Sequence, residues 1–181
     1  MASPDSFRSE AKHSALRPWL GVIALIVAMT AMRAVYAGLI DLRTDEAYYW
    51  TWSTENVLSF LDHPPMVAWF VRFGTAIFGD TNFGARFAGL VAMLAAQLLL
   101  ADLVWRVTRD LRVAVVAVLM MEASLYYGLL MTKIAPDVPL VLFVTAMAWA
   151  LVRLAESGDG RWWLAAEIGR ASCRERVCAI V

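Results

Sequence analysis

The chain has 181 residues, no net formal charge and only two cysteines. It is 61% hydrophobic and 18% charged, with a mean hydropathy of +0.61. A soluble domain is typically about 45–50% apolar and about a quarter charged, so this composition excludes an ordinary soluble domain, and the balanced charge gives no sign of a nucleic-acid partner. The expectation is an all-α, polytopic membrane protein. Its eight Trp and five Tyr suit several membrane–water interfaces, where amphipathic rings settle.

Residues 1–18 form a polar N-terminal segment with Arg8, Lys12 and Arg17. The apolar run Trp19–Ile40 follows. At about twenty residues it is long enough to span, whereas a signal-peptide core is about 7–15 residues, so it reads as an uncleaved first transmembrane helix. Arg33 interrupts its outer part. A charge at mid-bilayer costs about 2.5 kcal/mol or more. Snorkelling is the simplest relief, and pairing with a carboxylate beyond the helix end is the other.

Residues 41–81 make a long first outer loop with structure of its own. Asp45–Thr54 is expected to be one short helix. The paired prolines of Asp62-His63-Pro64-Pro65 break the chain, because proline removes a donor and pushes the preceding residue out of helical space. Met66–Phe78 reads as an amphipathic helix with Trp69, Phe70, Phe73 and Ile77 on one face. It is too short to span and is expected in the interface plane. Gly79-Asp80-Thr81-Asn82 is a turn and helix start.

The second transmembrane helix is expected over Phe83–Val107, followed by a tight charged loop of Arg106, Arg109, Asp110 and Arg112. The third covers Val113–Met131 and carries Glu122, and an intramembrane acid is a functional candidate by default. Thr132 to Asp137 is a short polar break. Val138–Leu154 is the fourth helix, Glu156 to Arg161 a Gly-rich turn, and Trp162 starts a fifth helix.

The stretch Glu167 to Val177 breaks the apolar pattern that begins at Trp162. It back-translates in frame into a string that looks like a common sequencing-adapter oligonucleotide. Residues 19–166 are therefore expected to be the native transmembrane region, with native sequence stopping near Ala166, and 167–181 a non-native tail. Both cysteines, Cys173 and Cys178, lie in that tail. The region before it then offers no disulfide, thiolate nucleophile or cysteine metal site.

Lys and Arg near the helix ends set the topology. Arg8, Lys12, Arg17, Arg106, Arg109, Arg112, Arg153 and Arg161 fall on one side, and Arg43, Arg72, Arg86 and Lys133 on the other, eight against four. The N-terminus is expected in the cytoplasm. The Asp45-Glu46 loop and the Pro136-Asp137 break then converge on the outer face.

Asp45 and Glu46 are adjacent, so on a helix their side chains diverge by about 100°. One is expected to point into a cavity and the other to support it. A carboxylate beside apolar walls can have its proton affinity raised and act as a base; the plainer alternative is an acidic pair complementing the helix dipole. His63 can bind an anion or a metal, and Asp62 a metal, or both are simply solvated. Lys133 can hold a phosphate as a point charge, with Arg86 as a second phosphate contact. Asp137 stands at a helix start, where capping alone would account for it. Tyr48, Tyr49, Tyr126 and Tyr127 suit an interface belt better than a substrate stack.

The order of these motifs is a first helix, Asp45-Glu46-Ala47-Tyr48-Tyr49-Trp50, Asp62-His63-Pro64-Pro65-Met66, Phe78-Gly79-Asp80 with Arg86, and Ala135-Pro136-Asp137-Val138-Pro139. From about Trp19 to Ala166 it resembles the start of the bacterial polyprenyl-phosphate-sugar transferases of the GT-C membrane fold. These include the lipid A aminoarabinose transferases and the protein O-mannosyltransferase-like enzymes. The resemblance implies GT-C-like transmembrane helices with interfacial helices in the first outer loop. It implies a multi-pass enzyme of the bacterial inner membrane that moves a sugar from a polyprenyl-phosphate donor to a lipid, glycan or protein acceptor at the periplasmic face.

In that resemblance Asp45 matches the catalytic base or acceptor-orienting acid, with Glu46 beside it, and Asp137 matches a second acid opposite. His63, Arg86 and Lys133 would meet the donor phosphate. Asp62 matches an acid that joins a metal site in some relatives, where a divalent metal would screen the lipid phosphate. One departure is plain: the aminoarabinose transferases carry a lysine where His63 stands. His is only partly charged near neutral pH, which weakens the phosphate-clamp role and an aminoarabinose substrate. The competing classes are a secondary transporter, with Arg33, Glu122 and Asp137 marking an ion path, and a non-catalytic membrane subunit. Transporters tend to show repeats and helices broken near the midplane. Here the polar residues gather at one face beside a long structured loop, which favours the enzyme.

Overall fold

The computed structural model describes residues 4–55, 65–124 and 132–178, and over these residues it is all-α. In chain order the helices are α1 (Pro4–Leu39), α2 (Thr44–Thr54), α3 (Met66–Phe78), α4 (Asn82–Thr108), α5 (Leu111–Ala123), α6 (Asp137–Ser157) and α7 (Arg161–Cys178). Among the described residues, Pro18–Leu39, α4 and α6 are long and apolar enough to cross a membrane, and the chain is a multi-pass membrane protein. The expected third span, Val113–Met131, is seen as α5 up to Ala123, and the rest of it lies outside the described residues. The helix expected from Trp19 begins earlier, at Pro4, with Pro18 inside it. Glu10, Ala11, Lys12, Ala15, Leu16 and Arg17 all favour helix, which accounts for the extension. At the other end α7 runs on through residues 167–178 without a break.

The hub is α4, which packs against α1, α3, α5 and α6. Its buried residues are mostly small: Gly84, Ala85, Ala88, Gly89, Ala92, Ala96 and Ala101. In a bilayer, where lipid removes the hydrophobic drive between helices, close backbone approach through small residues is the main source of packing. The tightest contact is with α3. A Cβ on Gly74 would stand 2.1 Å from the Gly84 carbonyl oxygen, and one on Gly84 would stand 2.4 Å from that of Gly79. The turn itself uses Gly79 at φ +71, a backbone region that L side chains rarely adopt. Thr81 then caps α4, its Oγ1 accepting from Gly84 N at 3.0 Å.

α3 buries its small face, Val67, Ala68, Val71 and Gly74. The large residues expected on one face do share it, and Trp69, Phe73 and Ile77 are exposed while Phe70 is partly buried. A water-soluble helix would point these side chains inward. Their outward display suits a lipid-facing helix.

On the other flank Val22 and Ile26 of α1, Ala101 of α4 and Val118 of α5 form one buried cluster. Further along α1, Arg33 is only 6% exposed. It does not snorkel: its Nη2 forms an ion pair with Glu122 Oε2. Gln97 of α4 also donates to Glu122, through its Nε2. Glu122, left without a partner by the sequence pattern, thus joins α1, α4 and α5. A polar group left unmatched here would be costly; Glu122 accepts from both Arg33 and Gln97, while the Gln97 Oε1 finds no hydrogen-bond partner among the described residues.

A second polar knot lies at the far end of α4. Asp102 accepts from Arg106 Nε at 2.5 Å and from Trp149 Nε1 at 2.7 Å. Glu156 accepts from Arg106 at 2.7 Å and from Arg109 at 3.2 Å. The Arg153 guanidinium lies 4.9 Å from the Trp162 ring centroid, a cation–π distance. This knot ties α4 to α6 and α7. It gathers Arg106, Arg109 and Arg153 at the end away from Glu46 and Ile134, as the charge count groups them.

Candidate functional site

The opposite end of the bundle is assembled by one carboxylate. α2 begins immediately after Arg43, and its first turn carries both acids. Asp45 is exposed and Glu46 is buried, with 1% of its surface accessible. The divergence expected of adjacent helical residues is therefore resolved as Asp45 outward and Glu46 inward.

Glu46 meets three separate parts of the chain. Its Oε1 accepts from Arg86 Nε at 2.7 Å and from the Ile134 backbone N–H at 3.0 Å. Its Oε2 accepts from Arg86 Nη2 at 2.6 Å and from the Arg43 backbone N–H at 3.0 Å. The arginine contact is bidentate, the strongest geometry for this pair. Arg86 is equally committed. Its Nη1 donates to the carbonyls of Ala37 at 2.8 Å and Ile40 at 2.6 Å, and its Nη2 to Asp41 at 3.0 Å. These carbonyls lie at the C-terminus of α1, which has no basic residue in its own last turn. Arg86 supplies the cation that orphan carbonyls and the negative end of the helix dipole call for.

Two expectations change here. Arg86 was a phosphate contact in the sequence reading, yet its five N–H donors are all engaged inside the chain, so it has none to offer a phosphate. A raised proton affinity was expected of an acid beside apolar walls, and Glu46 shows the reverse. Burial pushes its pKa up, but the Arg86 hydrogen bonds, the Arg43 and Ile134 backbone N–H groups and the Arg86 charge together hold it below the ordinary value of 4.5. A depressed folded pKa gives stability that is present above the ordinary value and lost as pH falls through the folded one. The thermal midpoint in detergent is expected to hold down to roughly pH 5 and to fall below it, with that acid-labile component missing in Glu46→Gln.

The Ile134 bond brings in the second region. Ile134 is buried between α2 and α4; a Cβ on Gly89 would stand 3.3 Å from its Cδ1. Lys133 precedes it, half-buried, and pairs with no other side chain among the described residues. Asp137 follows as the first residue of α6, also half-buried, after Pro136 at the N-cap. The first outer loop and the Lys133–Asp137 break are thus brought together. Asp62, His63, Tyr126 and Tyr127 lie outside the described residues. Among the described residues no three His, Cys, Asp or Glu side chains come together as a metal-ligand set.

The floor of α2 is aromatic. Tyr49 and Trp52 are buried in a cluster with Val67, Ala68, Val71, Ala85 and Ile134. Tyr48 rests on Trp52 at 4.5 Å between ring centroids and stays half exposed beside Asp45. Below lies an apolar cavity of about 400 Å³ between α3, α4 and α6. Met66, Phe70, Ala92 and Leu142 are among the residues that line it. Leu142 is five residues beyond Asp137, about 7.5 Å further along α6. The sequence pattern marked neither this cavity nor Ile134, since both arise from contacts between distant segments. Only the small-residue stripe of α4 hinted at a place where helices approach closely.

Residues 62–171 match the family model for dolichyl-phosphate-mannose-protein mannosyltransferases, which is more than half of the chain. The chain belongs to this family. It is a GT-C-type family, in agreement with the motif order read from the sequence. Over 81 residues the chain is also 32% identical to the lipid A galacturonosyltransferase RgtD of Rhizobium johnstonii. That alignment covers 43% of this chain and 17% of the relative, so the chain spans about a sixth of that protein's length. No solved structure matches the chain significantly.

Proposed function

We propose that the full protein is a membrane glycosyltransferase that moves a sugar from a polyprenyl-phosphate donor to a hydroxyl or phosphate of a lipid, glycan or protein acceptor. The reaction takes place at the periplasmic face of the inner membrane, with the N-terminus in the cytoplasm. One observation carries this reading: the Glu46–Ile134 hydrogen bond joins the loop of Asp45 to the loop of Lys133 and Asp137. The apolar cavity lined by Met66, Phe70, Ala92 and Leu142 supports the same reading, since Leu142 follows Asp137 on α6.

Each part has a role in transfer. Asp45 is exposed and acts on the acceptor, orienting its hydroxyl and taking its proton as the glycosidic bond forms. Lys133 meets the donor phosphate as a point charge. Asp137 serves as the second acid of the site. The cavity between α3, α4 and α6 holds the first part of the polyprenyl chain, with the phosphate outside its apolar lining. The relative's action on lipid A favours a saccharide-bearing lipid acceptor over a protein. A divalent metal, if used, would be held through Asp62.

Asp45→Asn in the full-length protein is expected to abolish transfer, by roughly 10²–10⁴-fold in rate for loss of a general base. Expression and membrane insertion should stay at wild-type level. Turnover assayed with a polyprenyl-phosphate-linked sugar checks it, and wild-type activity would remove Asp45 from the mechanism.

A further inference from the structure

We infer that Glu46 is a positioning residue of the transfer site, setting the spacing between Asp45 and the Lys133–Asp137 loop without touching substrate. The inference rests on the glycosyltransferase reading and goes one step beyond it.

Three observations carry it. First, Glu46 is closed to substrate. It is 1% exposed, and its two oxygens already accept four hydrogen bonds, about as many as a carboxylate can take. Second, its partners are the right ones for positioning. Asp45 is its immediate neighbour in the chain, and the Ile134 N–H it holds lies one residue from Lys133 and three from Asp137. A displacement of the Glu46 carboxylate is therefore passed to both sides of the site through very few rotatable bonds. Third, each side is seated independently of the site. Arg86 fixes the carboxylate to the end of α1, and Gly89 leaves room for Ile134 to settle against α4. The carboxylate is thus a fixed strut between two anchored bodies.

Rates of oriented transfer are steep in distance, and a misplacement of about 1 Å can cost about 10²-fold. Glu46→Asp keeps the charge opposite Arg86 and shortens the reach by one methylene, so it cannot hold both Arg86 and Ile134 in place. Glu46→Gln keeps the length and removes one acceptor. The test uses both variants in the full-length membrane protein with a polyprenyl-phosphate-linked sugar as donor. The expected result is a kcat lower by roughly 10²-fold, a donor KM within about twofold of wild type, and an acidic limb of the kcat profile at its wild-type pH. Unchanged position of that limb separates a positioning group from the base itself.

A wild-type kcat per folded molecule in both variants overturns the inference. Loss of the acidic limb in Glu46→Gln overturns it too, because Glu46 would then be the titrating base. Failure of both variants to insert and fold leaves Glu46 a structural role only and overturns it as well. A wild-type protein that transfers no sugar from such donors overturns the glycosyltransferase reading and this inference with it, whereas loss in Asp45→Asn with wild-type kcat in both Glu46 variants overturns only the inference.

Discussion

Arg86→Met is expected to cost about 3–5 kcal/mol of stability, the typical penalty for removing one partner of a buried ion pair. The volume is nearly kept, so the loss is electrostatic. Glu46 would remain buried at 1% exposure with its strongest partner gone. The carbonyls of Ala37, Ile40 and Asp41 would lose their donors as well. Native stability is about 5–15 kcal/mol in total, so much of the folded population should disappear at growth temperature. Arg86→Lys should lie between wild type and Arg86→Met. Lysine keeps the charge but brings three donors on a flexible stem in place of a rigid five-donor fork. The thermal midpoint and the monodisperse fraction in one detergent measure both. A wild-type midpoint in Arg86→Met would mean that α1, α2 and α4 hold together without this pair.

The contrast between Asp45 and Glu46 shows where sequence reasoning reaches and where it stops. α2 and α3 match the expected helices closely, because prolines, glycines and helical spacing are local signals. That the two acids diverge is also local. Which of them turns inward is set by Arg86, 40 residues away, and by Ile134, 88 residues away, and no spacing within α2 encodes that. Arg86 was misread for the same reason: a cation at a helix start near an outer surface looks available for an anion until its five partners are known. The fate of Met66–Phe78 was legible in its pattern but not in its direction. One face carries the large residues, and only the Gly74–Gly84 approach reveals that the opposite, small face is the one that packs. Arg33 and Glu122 were each conspicuous as lone charges in apolar runs. Their depths agree, about 22 Å from Pro18 along α1 and about 18 Å from Asp110 along α5, at 1.5 Å per residue. Opposite charges at one level in antiparallel or parallel spans were the signal that could have paired them.

That pair supplies the other large effect. Arg33→Leu and Glu122→Leu are each expected to cost about 3–5 kcal/mol, since each removes one partner of a buried ion pair. The double variant should not cost the sum. With both charges gone, the remaining penalty is the Gln97 amide, whose Nε2 donates to Glu122. An unsatisfied buried group of that kind costs about 1–3 kcal/mol. Gln97→Leu added to the double should therefore recover stability, bringing the triple variant close to wild type. Contacting residues in one polar network are where additivity fails, by about 0.5–3 kcal/mol or more in a buried pair. Thermal midpoints of the four variants in one detergent give the coupling directly. If Arg33 instead reached the interface alone, the two single variants would each cost under about 1 kcal/mol, as exposed charges do, and their effects would add. The sign of the Gln97 step decides the matter independently. Removing a hydrogen-bonded amide from an intact pair destabilises, whereas removing an orphaned one stabilises, so Gln97→Leu should be harmful in the wild type and helpful in the double variant.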